Sequence, residues 1–430
     1  MKRTLFSLCF AIGVLSLFAQ TLPEAITFTS SNNVGSEIAM RLRVTTESTP
    51  VEIDFGDGAI VTKLVSTNTS GDYITGSLGA SKTVTIYAAN SAIDLFQSMG
   101  YMIPNTGNSV ASIDISNCPS LVSLSLEANN GFLKTIDLRY NPNLKYLSLK
   151  DNKLSSLDVS NNTQLVVLNV ELNDISTLNL TNNLDLTTLI CGNNDLEELD
   201  VTENTQLVTL DCKENVMLTS LKVSKLSNPN LTQLVCKLNS LTFSTLPDFT
   251  SLGSNYIYAY QNVINLPASY VMERIVDLSA EYNIRGNIST YVWYDSETEN
   301  QLTEGVDYTI AGGVTSFLKE FPNGVFCGLE NASFPDMSGS SKLYIRVTSI
   351  TDSSTTGVEN ISAQDVKIIS ENNSIKTITP VAISVAIYTL DGRLVQTLQS
   401  NESSKTLSTG IYIVKYELGG QSTTAKVIVK

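Results

Sequence analysis

The chain has 430 residues, 42% hydrophobic and 16% charged, a composition that suits about three folded domains. Lys and Arg number 27 against 42 Asp and Glu, and the net charge of −15 repels phosphate backbones, which excludes general nucleic-acid binding. There is no histidine, which excludes Ser-His-Asp and Cys-His nucleophiles, histidine-ligated zinc and a histidine pH switch.

Residues 1–19 read as a secretory signal peptide. Lys2 and Arg3 precede an uncharged, largely apolar run from Leu5 to Phe18, and the small residue Ala19 stands before the expected cut. The run is too short to span a bilayer comfortably, and no later stretch reaches that length of apolar residues. The mature chain is therefore expected outside the cell, without a transmembrane segment. Loss of Lys2 and Arg3 takes its charge from −15 to −17. It keeps Cys118, Cys191, Cys212, Cys236 and Cys327, an odd number that argues against a complete disulfide framework.

Residues 20–109 hold short runs rich in Thr, Val and Ser, among them Lys82–Tyr87, and are expected to form a β-sandwich-like cap. Val51 to Gly58 ends a strand in a tight turn, and its Ile53-Asp54-Phe55-Gly56-Asp57-Gly58 resembles the turn of PKD-type sandwiches. Asp54 and Asp57 have two readings, a structural Asp-Gly turn and a calcium site.

Residues 110–246 repeat the pattern L-x-x-L-x-L-x-x-N-x-L. One copy is Leu144, Leu147, Leu149, Asn152 and Leu154, and the next is Leu165, Leu168, Val170, Asn173 and Ile175. Then come Leu186, Leu189, Cys191, Asn194, Leu196, and Leu207, Leu210, Cys212, Asn215, Met217. The last clear copy is Leu231, Leu234, Cys236, Asn239 and Leu241, and a looser one starts at Leu121. Each coil offers about six inward apolar residues, worth about 1.5–3 kcal/mol apiece. That does not outweigh ordering 21 residues at about 1–2 kcal/mol each, so the coils must stack. The second half of each coil repeats the first, as in Leu154 to Asn162, and extended segments are expected on both faces. The pattern resembles the short, nested leucine-rich repeats of bacteria.

Inward positions in three successive coils carry Cys191, Cys212 and Cys236, expected to be buried free thiols standing in for leucine. Outward positions on the first-half strands carry Tyr146, Ser148 and Lys150, then Asn169 and Glu171, then Asp211 and Lys213. These seven are the candidate ligand-binding residues. The face they make is mixed in charge and suits protein recognition better than sugar stacking. On the second-half strands Asp114, Asp137, Asp158, Asn179 and Asp200 fall in register. A calcium ladder and a solvated consensus position are both open readings for this row, and no cofactor is expected.

Residues 247–350 contain Thr290–Tyr294, with the single Trp293, and further runs around Phe317, Cys327 and Lys342–Thr348. Their spacing predicts an Ig-like β-sandwich with Trp293 opposite the Cys327 strand. Trp293, Tyr291 and Tyr294 have two readings, core and ligand platform. Repeats followed by such a sandwich resemble the layout of internalin-type surface proteins. Residues 351–360 read as a linker.

In residues 361–430 the run Val385 to Val395 predicts a hairpin around Asp391-Gly392. Leu407 to Lys415 and a terminal Ala425 to Lys430 complete a small antiparallel unit. These motifs, in this order, resemble the type A sorting domain of the type IX secretion system of Gram-negative bacteria. The resemblance implies passage through both membranes with that machinery as partner, removal of the sorting domain, and surface attachment or release.

The fold class expected is mainly β, a leucine-rich-repeat solenoid flanked by β-sandwich domains. The function expected is a non-enzymatic, surface-associated protein that binds a surface, matrix or host protein or a glycan. A non-binding spacer of the cell envelope and a carboxylate-pair glycosidase are the alternatives.

Overall fold

In the computed structural model the described residues are 22–89, 92–98, 109–129, 131–266, 271–272 and 274–351, followed in the C-terminal region by 367–371, 374–378, 384–389, 394–399, 404, 406–408, 410–418 and 421–429. The expected signal peptide, residues 352–360 of the expected linker and the Asp391-Gly392 turn lie outside them. Among the described residues no helix is long and apolar enough to cross a membrane.

The N-terminal region folds into two antiparallel layers. One sheet runs in the order Ile60–Val65, Thr49–Asp54, Thr83–Tyr87, Glu24–Ser30, Val110–Asp114. The other begins with Asp72–Ser77, Glu37–Val44 and Ile93–Ser98. Alternation of apolar and polar residues sends Ile26 and Phe28 from the first sheet, and Met40, Leu42 and Phe96 from the second, into one core. Phe28 and Phe96 meet across it with ring centroids 6.0 Å apart.

The second sheet does not stop at the N-terminal region. Ile93–Ser98 pairs in parallel with Ser123–Leu126, Leu95 facing Ser123, and the solenoid strands follow one per coil. They are Tyr146–Ser148, Val167–Asn169, Thr188–Ile190, Thr209–Asp211, Gln233–Val235 and Tyr256–Ile257, giving ten strands in all. The open apolar end of the first coil is thus covered by strand addition. The other end continues past Leu241, the last copy visible in the sequence: Tyr256 pairs with Leu234, and Gln261 stands where other coils have Asn.

Two ladders of Asn tie coil to coil. In the first, Asn173 Nδ2 donates to Leu149 O (2.9 Å) and Val170 O (3.0 Å), while its Oδ1 accepts Leu154 N (3.1 Å). Asn194 repeats this with Val170 O, Cys191 O and Ile175 N. In the second, Asn183 Nδ2 donates to Val159 O (3.1 Å) and Asn162 O (2.9 Å), and Asn204 does the same one coil on. Buried carbonyls of the tight turns find donors this way, which is why Asn recurs.

Second-half segments are regular strands at Val110–Asp114, Glu198–Asp200 and Ser220–Lys222, whereas 133–139, 154–160 and 175–181 form no regular strand. One expectation for the coils needs correction. Met217 is not inward but 55% exposed; Leu218, fully buried, takes that position. The coil starting at Leu207 carries one extra residue after Asn215, which shifts the register and pushes Val216 and Met217 out.

Beyond the solenoid, Ile264–Leu266, Leu343–Val347, Val325–Glu330 and Thr290–Asp295 form one four-stranded sheet. Val271–Met272, Ile275–Asp277, Val314–Phe317 and Tyr308–Ala311 form another. Trp293 lies between them, fully buried, directly opposite Cys327, with Nε1 donating to Thr315 Oγ1 (3.1 Å) and its ring edge-on to Phe317. This region is bolted to the last coil. Phe243 and Phe334 stack 5.6 Å apart, and the buried Glu281 carboxylate accepts from the N–H (2.9 Å) and hydroxyl (2.5 Å) of Ser244. In the C-terminal region Ser384–Thr389 pairs with Leu394–Gln399 as the expected hairpin, and with Gly410–Leu418, which pairs with Gln421–Val429. That unit has its own core around Val385, Ile387 and Val414.

Candidate binding face

The ten-stranded sheet presents one continuous outward surface because inward and outward residues alternate with the same parity in every strand. Strand pairing sets one row as Arg41, Gln97, Ser125, Ser148, Asn169, Ile190, Asp211, Val235 and Ile257. A second row runs Arg43, Leu95, Ser123, Tyr146, Val167, Thr188, Thr209 and Gln233. All seven candidate residues lie on this face or at its C-terminal rim.

Four of the seven are engaged with one another. Glu171 receives Lys150 Nζ on one oxygen (2.6 Å) and Lys213 Nζ on the other (2.5 Å). Lys213 also reaches Asp211 (2.9 Å). Lys213 and Glu171 sit two coils apart, and Gly192 lies between them. A Cβ there would be 2.9 Å from Lys213 O and 3.0 Å from its Cγ, so the glycine leaves the channel through which Lys213 passes. Burial pushes the Glu171 carboxyl upward, but hydrogen bonds from Lys150 and Lys213 outweigh it and hold the group below its ordinary range. Burial lowers Lys213, and its bonds to Glu171 and Asp211 more than reverse that.

The remaining three differ. Ser148 Oγ donates to Glu127 (2.6 Å), and Asn169 Oδ1 accepts the Glu171 N–H (3.1 Å). Tyr146 is the large exposed side chain among them, at 49%. Outward positions of the solenoid strands and the residues just after them carry Lys150, Lys213 and Lys237 against Glu127, Glu171 and Asp211. Over the solenoid strands the face is therefore balanced in charge on a chain of net −15, and its N-terminal part adds Arg41 and Arg43, the latter paired with Asp94 (2.8 Å).

Sequence reasoning missed the N-terminal part of the face. Tyr73, half exposed, lies under the Arg41 guanidinium at 5.8 Å, beside the row just described. The available signal is Ile93-x-x-Phe96-x-Ser98, which is the repeat pattern with Phe and Ser replacing leucine.

The other candidates resolve into architecture. Asp54 Oδ1 accepts the N–H groups of Gly56 (2.7 Å), Asp57 (3.2 Å) and Gly58 (3.0 Å), so its role is to close the turn. In the register row Asp114, Asp137, Asp158, Asn179 and Asp200 each accept the N–H two residues on. Hydrogen bonds from Arg139 hold the Asp137 carboxyl at about 2. Trp293 is core, as is much of Tyr291, whose hydroxyl donates to Leu278 O (3.0 Å); Tyr294 stacks on Phe326 instead. Cys191, Cys212 and Cys236 are fully buried and free, and burial pushes their thiols well up; burial likewise pushes the Cys118 thiol up to about 12. Protonated, enclosed thiols are poor nucleophiles. A cleft of about 750 Å³ opens where the last coil meets the next region, lined by Asp248, Tyr258, Arg285, Asn287 and Asp336. Arg285 there stacks on Phe334 (4.6 Å) and pairs with Asp248 (3.4 Å), joining the two regions.

Residues 360–430 match the family described as the secretion system C-terminal sorting domain. Comparison with curated proteins finds no match. Among solved structures the chain is similar to the functional domain of InlJ from Listeria monocytogenes, which includes a cysteine ladder: 19% identity, 55% of this chain and 64% of that one, TM-score 0.29. InlP from Listeria monocytogenes aligns at 17% identity over 54% of this chain and 66% of its own, TM-score 0.36. The leucine-rich repeat domain of APL1B aligns at 16% over 39% and 67%, TM-score 0.26. The chain thus spans less than two thirds of the length of the two Listeria structures.

Proposed function

We propose that this chain, addressed by its C-terminal sorting domain to the type IX secretion machinery, is displayed at the cell surface and binds a partner protein through the outward face of its ten-stranded sheet. The sorting domain is removed on the way, leaving the N-terminal layers, the solenoid and the region around Trp293 outside the cell. The reading assigns no catalysis. The observation that carries it is the unbroken sheet face, on which side chains from ten strands stand in fixed register. The balanced charge of its solenoid strands suits a partner without strong net charge, since a highly charged ligand gains no steering from such a surface. Tyr146 is the natural anchor, because exposed aromatics supply contact area at low entropic cost.

The spacer reading has one observation in its favour: Lys150, Glu171, Asp211 and Lys213 already satisfy one another. Binding of the purified chain to arrayed matrix proteins and glycans separates the two. A saturable partner weakened about tenfold by Tyr146→Ala with Asn169→Ala supports the binding face; that loss is about 1.4 kcal/mol. Absence of any saturable partner supports the spacer. Binding to a glycan rather than a protein, lost with the same substitutions, keeps the face and changes the ligand class.

A further inference from the structure

Ile60–Val65 is the outermost strand of its five-stranded sheet, paired on one side only, to Thr49–Asp54. Five of its six residues are exposed, among them Ile60 (42%), Val61 (38%) and Leu64 (71%). Strand edges offer outward N–H and C=O groups as a pairing template, and folded proteins usually blunt them with charge, proline, bulges or a cover. Here the pairing to Thr49–Asp54 runs without a register shift, and Lys63 is the only charged residue of the strand. The outer strand of the other sheet, Asp72–Ser77, differs: its exposed apolar side chain is Tyr73, and Arg41 lies over it.

We propose that Ile60–Val65 pairs antiparallel with the same strand of a second copy, about a two-fold axis through Thr62, joining two five-stranded sheets into one. The register follows from the side chains. A two-fold axis perpendicular to the sheet keeps each residue on its own face, so opposed positions have the same parity. Centring on Thr62 sets Ile60 opposite Leu64 of the second copy, and Leu64 opposite its Ile60. Two apolar cross-strand pairs form on one face, and each Lys63 faces a Val61. Centring on Lys63 opposes two ammonium groups, and centring on Val61 moves Leu64 past the end of the opposing strand. The interface is isologous and closes at two copies. The excess of 15 negative charges opposes association, so added salt strengthens it.

Cysteine cross-linking of the full chain tests the register. The five described native cysteines are buried, and a Cys9→Ser background removes the sixth. Under mild oxidation Thr62→Cys is expected to give a covalent dimer, Leu64→Cys alone to give none, and Ile60→Cys with Leu64→Cys together to restore it. Light scattering should show the uncross-linked chain moving from one to two chain masses with concentration, more readily as salt is raised. Leu64→Lys, at an exposed position, should keep the melting temperature and hold the chain monomeric. A chain monomeric at all concentrations, equal cross-linking of Thr62→Cys and Leu64→Cys, or a dimer unmoved by Leu64→Lys would each overturn the proposal.

Discussion

At each turn of the solenoid the residue before the ladder Asn has a left-handed backbone. Ala128, Asp151, Leu172, Asn193, Glu214, Leu238 and Tyr260 have φ between 54° and 61°, and the last precedes Gln261. L-residues pay about 1–2 kcal/mol there, glycine none. Leu172 is 41% exposed, so little burial is lost on replacing it. Leu172→Gly should therefore raise stability by about 0.5–1 kcal/mol once the extra freedom of unfolded glycine is subtracted, read as a higher urea midpoint with unchanged slope. The ladder itself should be costly to cut. Asn183→Ala removes the donor to Val159 O and Asn162 O and should lower stability by about 2 kcal/mol in the same assay. The ladder is legible in the sequence because one residue type does the same job in each coil. The left-handed row is not, because seven positions with one backbone conformation hold six different residue types.

At the scale of the coil, central copies are legible because leucine recurs at fixed spacing. The terminal strands are not, because Phe96 and Ser98 at one end and Tyr256, Tyr258 and Gln261 at the other fill the same places with different chemistry. The coil from Leu207 is misread at Met217 because one inserted residue leaves two neighbouring apolar side chains, and only packing decides which turns inward. The binding face has the same character. Outward positions follow from parity, but the bridge from Lys213 across Gly192 to Glu171 depends on the spacing between coils. That bridge predicts an acid response. A carboxyl held below its unfolded pKa adds stability that is complete above the unfolded value and is lost as pH falls through the folded one. Between about pH 5 and pH 3 the parent chain should thus lose more stability than Glu171→Gln, which has no such proton to take up. Parallel urea midpoints for the two chains across that range would show Glu171 to be uncoupled from folding.

Across the whole molecule, the solenoid and the C-terminal sorting region are legible from motifs, whereas the continuity of sheet and core between regions is not. One apolar cluster runs from Ala25 to Ile350 and takes in the N-terminal layers, the solenoid and the region around Trp293; the residues of the C-terminal unit form a second cluster. The two ends should therefore respond differently to truncation. Removing residues 360–430 takes away a unit with a separate core and should move the melting temperature of the rest by no more than about 2 °C, since independent cores unfold independently. Removing residues 22–98 takes away the strand paired to Ser123–Leu126 and uncovers Leu121, Leu124 and Leu126. A stack whose first coil has no cap loses both the interface energy and the cover over its apolar end. That truncation should give an aggregating or unfolded chain, read as loss of the cooperative transition and of the β-type circular dichroism. If the chain lacking residues 22–98 melted cooperatively within a few degrees of the parent, the N-terminal layers would be an appended module, and the ten-stranded sheet would be dispensable to the fold that carries the binding face.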